Sequence, residues 1–342
     1  MATLKDVARR VGLSVTQVSR ALNDHADVSA DTKKRVAEAA KALKYHPNVS
    51  ARKLVSGRSG MVALVVASYP GLTQDHMFFE VAAGLSAQFS GRDMQFVLHI
   101  AKAGENQISV YQRLIGSGSL DGFVLTATEA HDQRIRYLKS RGVPFVVHGR
   151  TEGDEDYPYF DIDNFGLAAQ ATRHLIARGH RRIALINGVQ AMSFAIARLA
   201  GYRTALTEAG LTAPPEMVAH GWMDESLGLI ETVRMFSGPG PAPTAIFCSN
   251  ILIAKGVFSG LAALGKAVPQ QVSVIAHDDL LPDVRASAFY PPLTVTRSPL
   301  RESWVPLTEF LAGAIEGRPI ATLQKIAAHE FIERGSVAGA PE

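Results

Sequence analysis

At Met61 the hydrophobic rhythm of this chain changes, and the change divides it into two unlike parts. Before Met61, apolar residues recur at helical spacing. After it, short apolar runs alternate with longer amphipathic stretches. In the first part Leu4, Val7, Ala8 and Val11 fall at i, i+3, i+4 and i+7, the stripe of one short helix. Gly12 permits a tight turn, because positive φ brings it no Cβ clash. Ser14 can cap a second helix by accepting a backbone N–H, and Val15, Val18 and Leu22 recur along it. Ser29 or Asp31 starts a third helix, in which Val36, Ala40 and Leu43 repeat the stripe. Three short helices sharing one core form the smallest stable helix-turn-helix module.

Charge is divided along the same line. Residues 1–58 carry 12 Lys and Arg against 5 Asp and Glu, whereas the remainder carries 23 against 27. A basic module on a mildly acidic body points to a polyanion partner. A charge run alone reads as a solvated helix surface; on a helix-turn-helix it reads as a contact to double-stranded DNA. The second helix enters the major groove with its N-terminal residues at the base edges. Val15, Thr16 and Arg20 then point at bases, Arg20 forking onto guanine O6 and N7 and Thr16 meeting a base edge or thymine methyl. Gln17 shares that helix, and the alternative leaves Thr16, Gln17 and Arg20 merely facing solvent. Thr3, Ser14, Ser19 and Asn23 suit phosphate oxygens, which position without specifying.

Pro47 ends the third helix, and Asn48 can cap a short new one over the following residues. That segment is too short to be helical alone in water. Leu54 reads equally as an apolar wedge in the minor groove or as a linker residue packed on its own domain.

Leu4-Lys5-Asp6-Val7-Ala8, Val18-Ser19-Arg20-Ala21-Leu22-Asn23, Val28-Ser29, Tyr45-His46-Pro47-Asn48 and Ala51-Arg52-Lys53-Leu54 resemble, in order and spacing, the lactose-repressor (LacI/GalR) family of transcription regulators. The resemblance implies that Leu54 is the minor-groove wedge. It implies that Ala51 flanks Leu54 and that the segment pairs with that of a dimer mate. Val15 and Thr16 stand where members vary their base readers, so the operator is not named.

Beyond Met61, strand-like runs at 61–67, 95–100, 121–126 and 144–148 alternate with helical stretches. A second such series follows, with runs at 182–186, 245–248 and 272–276. This alternation implies doubly wound parallel sheets with a crossover near Asp161–Asp163. The fold expected is thus a small all-α headpiece on an α/β body of two doubly wound subdomains, and that body resembles the family's periplasmic-binding-protein-like effector domain. Boundaries are expected at 1–46 for the headpiece, 47–58 for the hinge and 60–342 for the effector and dimerisation body. Within the body, about 60–161 plus 294–325 form one subdomain and about 162–292 plus 326–342 the other.

Ligands of open α/β sheets bind beyond the carboxyl ends of the strands, here between the two subdomains. Asp75, Arg150, Arg198, Asn250 and Asp278 follow strand ends or lie on the next helix. A carboxylate, an amide and a guanidinium suit a polyol, and Phe78 or Trp222 can stack on a sugar ring. Two departures from the family stand out: Ile251 where an acidic residue is frequent, and His277 where an aromatic one is. The runs Phe145–Arg150 and Asp161–Asn164 resemble regulators of glycoside or disaccharide catabolism, which implies an α-glucoside type of effector.

The remaining features restrict function further. No apolar run reaches the ~20 residues of a membrane span, and the charged N-terminus is no secretory signal. One cysteine, Cys248, forms no internal disulfide and suits a reducing cytoplasm. Gly116–Gly122 sits before a strand and lacks phosphate-loop spacing. No G-x-S-x-G or H-E-x-x-H occurs, and His180 reads as a helix-end residue. Neither an enzyme nor a cofactor is expected. The expectation is a homodimeric repressor of a palindromic operator with a saccharide effector; the absence of leucine heptads after Glu333 argues against a tail-assembled tetramer. Its competitors are the same fold with a nucleobase-like corepressor, and a sugar-binding protein with no DNA role.

Overall fold

The computed structural model describes residues 2–22, 25–45, 58–68, 72, 76–151, 153 and 155–341. Asn23, Asn48, Ala51, Leu54 and Asp75, with hinge residues 47–57, lie outside the described residues. The chain forms two compact units, residues 1–60 and 61–342.

The first unit holds α1 (Leu4–Val11), α2 (Val15–Leu22) and α3 (Ala30–Ala42). Each start is written locally. Thr3 and Asp6 exchange bonds at α1: the Asp6 N–H donates to Thr3 Oγ1 at 3.4 Å and the Thr3 N–H to Asp6 Oδ2 at 2.9 Å. Ser14 and Gln17 repeat the arrangement at α2, at 3.2 and 3.0 Å, and Ser29 caps α3. Gly12 closes α1 at φ 68°, a left-handed conformation that glycine enters freely. Val7, Ala8, Val18, Ala21, Val36, Ala39 and Ala40 form the core. Arg35 ties α3 to α1 by donating to the Val11 carbonyl at 3.2 Å.

The second unit contains two six-stranded sheets. The first is ordered β11-β5-β4-β3-β1-β2, from β1 (Met61–Ala67), β2 (Gln95–Ala101), β3 (Gly122–Leu125), β4 (Phe145–His148), β5 (Tyr159–Ile162) and β11 (Gln324–Ala327). Around it lie α4 (His76–Ser90), α5 (Gln107–Gly116), α6 (Gln133–Ser140) and α11 (Trp304–Glu316). The second is ordered β12-β10-β9-β8-β6-β7, from β6 (Ile183–Asn187), β7 (Val218–His220), β8 (Ala245–Cys248), β9 (Ser273–Asp278), β10 (Thr294–Arg297) and β12 (Glu330–Ile332). Its helices are α7 (Asn164–Ala177), α8 (Ser193–Glu208), α9 (Glu225–Ser237) and α10 (Ile251–Ala263). The central strands are buried on both faces, which is why they read as unbroken apolar runs. Among the described strand pairings only β10 with β12 is antiparallel, and an isolated antiparallel bridge joins Glu129 to Met192.

The sequence placed the 294–325 segment in the first subdomain, and the structure moves its first strand, Thr294–Arg297, to the second. β10 pairs with β9, Val295 beside Ala276, and belongs to the second sheet. Its Val295 is fully buried in the second core. The chain returns to the first sheet only with α11 and β11, and β12 crosses back. The short strands β5, β7 and β12 and the helix α11 carry periodicities too brief or too apolar to separate from their surroundings. Gly201 lets α8 lie against α7 at backbone distance, since a Cβ there would collide with the Phe165 carbonyl oxygen.

Candidate functional site

Two surfaces gather the residues singled out above. On the headpiece, α2 buries Val18 and Ala21 and turns Val15, Thr16, Gln17 and Arg20 outward. Val15 is 40% exposed, so it lies on the outer face and not in the stripe with Val18. Ser19 is half-buried. Arg20 Nη2 lies 2.6 Å from Asp27 Oδ2, with both side chains about half exposed. Such a surface pair contributes only ~0.2–1 kcal/mol, so a guanine edge can replace Asp27. Gln17 and Ser14 spend their side chains on each other's backbone N–H groups, as do Thr3 and Asp6. These caps hold the helix N-termini in place, a role the sequence gave to Ser14 but not to Gln17.

In the second unit, the polar groups beyond the strand ends of the two sheets meet in a chain of hydrogen bonds. Glu155 Oε1 lies 3.4 Å from Arg150 Nη1. Arg150 Nε donates to Asp161 Oδ2 at 2.9 Å. Asp161 Oδ1 accepts from the Asn164 amide at 3.1 Å, and Asn164 Oδ1 accepts from Arg198 Nε at 2.8 Å. Arg198 Nη1 donates to the Ser249 carbonyl. Its guanidinium lies over the Phe194 ring, 5.2 Å from the centroid. Burial pulls the Arg198 pKa down to about 10, against the opposing pull of Asp279 and Asp161. Arg150 and Arg198, chosen from remote parts of the sequence, are thus joined through the first crossover.

Asn250 and Asp278 are not brought to that chain. Asn250 is fully buried. Its Oδ1 caps α10 by accepting from Ile253 N–H at 2.8 Å, and its amide donates to the Met223 carbonyl at 2.9 Å. Asp278, also fully buried, accepts from Leu280 N–H at 2.9 Å and from Arg297 Nη2 at 2.8 Å. With Arg297 it lines a separate open pocket of about 310 Å³. The carboxylate facing Arg198 is the next one, Asp279. Asp278 is the last residue of β9, and Asp279 lies just beyond it, beside His277. Phe78 is half-buried and edge-on to Phe79, centroids 5.2 Å apart. Trp222 is 53% exposed, too open for a wall of an enclosed site.

Asp279 is 14% exposed. Burial pushes its carboxyl up, but His277, Arg198 and His148 outweigh that and hold it below the usual range. His277 has no exposure. Its Nδ1 is 3.1 Å from Thr296 Oγ1, and its Nε2 is 3.3 Å from Asp279 Oδ1 at an angle that leaves Nε2 without a hydrogen bond. Burial holds the His277 and His148 pKa values low, against the pull of nearby carboxylates.

Direct contacts join the subdomains. The Thr128 carbonyl accepts from the Ser193 N–H at 2.9 Å and from its hydroxyl at 3.0 Å. Arg134 fixes that loop, donating to the Thr126 and Ala127 carbonyls at 3.1 Å each and pairing with Asp132. Met77 of α4 packs into the core of the second sheet. The sequence gave no notice of Thr128, Ser193 or Asn164. Nor did it name Asp279. Among the described residues no group of three or more His, Cys, Asp or Glu is placed to hold a metal.

Comparison with known proteins bears on the family and fold of both units. Residues 3–48 match the family model described as bacterial regulatory proteins, lacI family. Residues 59–304 match the model for periplasmic binding proteins and the sugar binding domain of the LacI family. The chain is 39% identical over 340 residues to the HTH-type transcriptional regulator AglR of Rhizobium meliloti (strain 1021), covering 99% of this chain and 95% of that protein. The solved complex of the transcriptional regulator CelR with cellobiose has 30% identity and a TM-score of 0.71, covering 98% of this chain and all of that one. The lac repressor dimer bound to operator and an anti-inducer has 22% identity and a TM-score of 0.79 over 98% of this chain, a likeness of fold.

Proposed function

This chain belongs to the LacI family of bacterial regulatory proteins, and from that premise we propose that it is a repressor released from its operator by a neutral saccharide. It is a DNA-binding transcription regulator, as its relatives are named, and not an enzyme. In this reading it binds a near-palindromic operator as a homodimer, the two-fold axis matching two half-sites. Arg20 and Thr16 read bases, Val15 contributes an apolar contact, and Thr3, Ser14, Ser19 and Asn23 position the backbone. Asn48, Ala51 and Leu54 act from the hinge, Leu54 as the minor-groove wedge.

The observation that carries the effector reading is Arg198 beside Asp279. Arg198 is 4% exposed, with Nε and Nη1 already held by Asn164 and Ser249. In this reading its Nη2 donates to the ligand, with the charge of the Asp279 carboxylate felt at the guanidinium. A fixed donor fork beside an acceptor suits adjacent hydroxyls. The CelR neighbour, solved with cellobiose, supports a disaccharide-sized occupant. The contacts of Thr128 with Ser193 close one side of the cleft, so an occupant that adds bonds across it favours the closed arrangement. Control at the operator then requires different effector affinities in the bound and released states.

A mobility shift of the full chain on duplexes from its own upstream DNA, with and without cellobiose, maltose, sucrose and trehalose, tests the reading. The expected result is a salt-sensitive complex that at least one sugar dissociates. A chain that binds no palindromic duplex under any of these conditions is not this regulator.

A further inference from the structure

We propose that Asp27 is a specificity-determining residue of the headpiece: it holds the Arg20 guanidinium so that an uncharged base edge can share it and a phosphate cannot, which lowers affinity for random duplex more than for the operator. The proposal rests on the reading of Arg20 as a base contact and deepens it.

Arg20 is the only charged residue of α2. Its Nη2 lies 2.6 Å from Asp27 Oδ2. Asp27 stands in the turn between α2 and α3, and that turn is tied on both sides. The His25 N–H donates to the Arg20 carbonyl at 3.1 Å, and the Val28 N–H donates to the His25 carbonyl at 3.2 Å. Val28 packs against the headpiece core. Ser29 caps α3, its hydroxyl oxygen accepting from the Thr32 N–H at 3.3 Å. The backbone around Asp27 is therefore placed by the same contacts that place the two helices. The other headpiece carboxylate in an ion pair among the described residues, Asp6, is also committed to capping α1. Asp27 has no such duty, since the cap of α3 is Ser29.

The two kinds of DNA acceptor differ in charge. A guanidinium carries five N–H donors in a fixed plane. The contact with Asp27 engages its Nη2 side and leaves donors for a second acceptor. Guanine O6 and N7 belong to an uncharged edge, so they accept from Arg20 without meeting repulsion from the aspartate. An exposed ion pair is weak and does not keep Arg20 from that edge. A phosphate is an anion. At Arg20 it shares one positive charge with the Asp27 carboxylate and is repelled by it. Nonspecific binding is built from such phosphate contacts. Asp27 thus withdraws Arg20 from binding that ignores sequence and leaves it available to binding that reads sequence.

The test uses the full chain, a duplex from its own upstream DNA that wild type shifts, and a scrambled duplex of the same composition. Anisotropy titrations at several salt concentrations compare wild type, Asp27→Asn, Arg20→Ala and the double variant. Asp27→Asn keeps the size of the side chain and removes its charge. Its expected result is about three- to tenfold higher affinity for the scrambled duplex, a salt dependence steeper by about one ion per headpiece, and less than about a twofold change on the upstream duplex. The ratio of the two affinities falls. In the Arg20→Ala background, Asp27→Asn leaves that ratio where it was. Equal changes on both duplexes in Asp27→Asn, or the same fall in ratio without Arg20, overturn the proposal. So does a lowered Tm with both affinities reduced, which makes Asp27 a structural residue of the turn. Arg20→Ala that keeps the full wild-type ratio removes the base-reading role of Arg20 itself, a failure distinct from the others.

Discussion

The headpiece and the second unit start their functional helices in opposite ways. In the headpiece, α2 begins at a cap three residues long, Ser14 with Gln17. In the second unit, α8 begins at Met192, which makes no side-chain cap. Its first residue, Ser193, donates its N–H and its hydroxyl to a partner 65 residues away in sequence, the Thr128 carbonyl on the other subdomain. The first start forms from local chemistry. The second depends on how the subdomains meet, so the helix that carries Arg198 is itself sensitive to closure. α2 is thereby held by its own neighbours, and the start of α8 by the contact between subdomains.

The largest test of that contrast is Arg198→Ala. Arg198 is buried, and its loss strands Asn164 Oδ1 and removes the positive charge facing Asp279 and Asp161. The cost is expected to be about 3 kcal/mol of unfolding free energy in the second unit, read by urea melts, together with loss of the sugar response. Headpiece binding to a duplex stays, because none of its contacts involves Arg198. Equal loss of duplex binding would show that the two units are not separable in this way.

Arg20→Ala is the matching test on the headpiece. A bidentate base contact is worth ~1–3 kcal/mol of discrimination, so operator affinity should fall by about 10- to 100-fold while random duplex loses little beyond one phosphate-scale charge. Fluorescence anisotropy on the shifted duplex and a scrambled one decides it. Thermal stability should stay unchanged, since Arg20 holds only a surface pair with Asp27. A uniform loss on both duplexes would reassign Arg20 to the backbone.

The same contrast explains what the sequence disclosed. All three headpiece helices were legible, because stripe, turn glycine and cap lie within a few residues of one another. The alternating strands and helices of the second unit were legible from equally local patterns, down to strand Ala245–Cys248 and helix Gln133–Ser140. The first crossover near Asp161–Asp163 was legible, but the returns were not: β10 and β11 are short runs of mixed polarity, and which sheet each joins depends on tertiary pairing. The start of α8 was placed at Arg198, five residues late, since Ser193 is satisfied from afar. Asp278 was named because it follows an apolar run and Asp279 was not; the bonds of Asp278 to Leu280 and Arg297 appear only in the structure. Asn250 shows the same limit: an asparagine after a strand serves a ligand or a helix cap, and here it makes the cap.

Acid should divide the units further. Burial lowers the pKa of His148, His180 and His277, all in the second unit. The unfolded chain then binds protons more readily than the native one, so stability is complete above the unfolded histidine value of about 6.5 and is lost as pH falls toward the lowered native values. Asp279, held below its usual range, adds a further loss below about pH 4. The urea midpoint of the second unit should therefore decline from near-neutral pH downward. A flat midpoint between about pH 7 and about pH 5 would mean that these imidazoles are solvated.

The smallest effects give the most direct comparison of the two kinds of helix start. Ser14→Ala removes a side-chain acceptor at α2 and leaves the Gln17 N–H to water, at a cost of about 1 kcal/mol. It should lower headpiece stability and, through looser placement of α2, operator affinity. Ser193→Ala removes only the hydroxyl bond to Thr128, because the backbone N–H still donates to the same carbonyl at 2.9 Å. The expected loss is about 0.5 kcal/mol, at the low end for one hydrogen bond, with no change in binding to random duplex. Its effect should appear instead in the sugar titration, because the lost bond exists only where the subdomains touch. If Ser193→Ala lowers stability as much as Ser14→Ala and leaves the sugar response intact, then α8 is capped like any local helix and closure has no hold on Arg198.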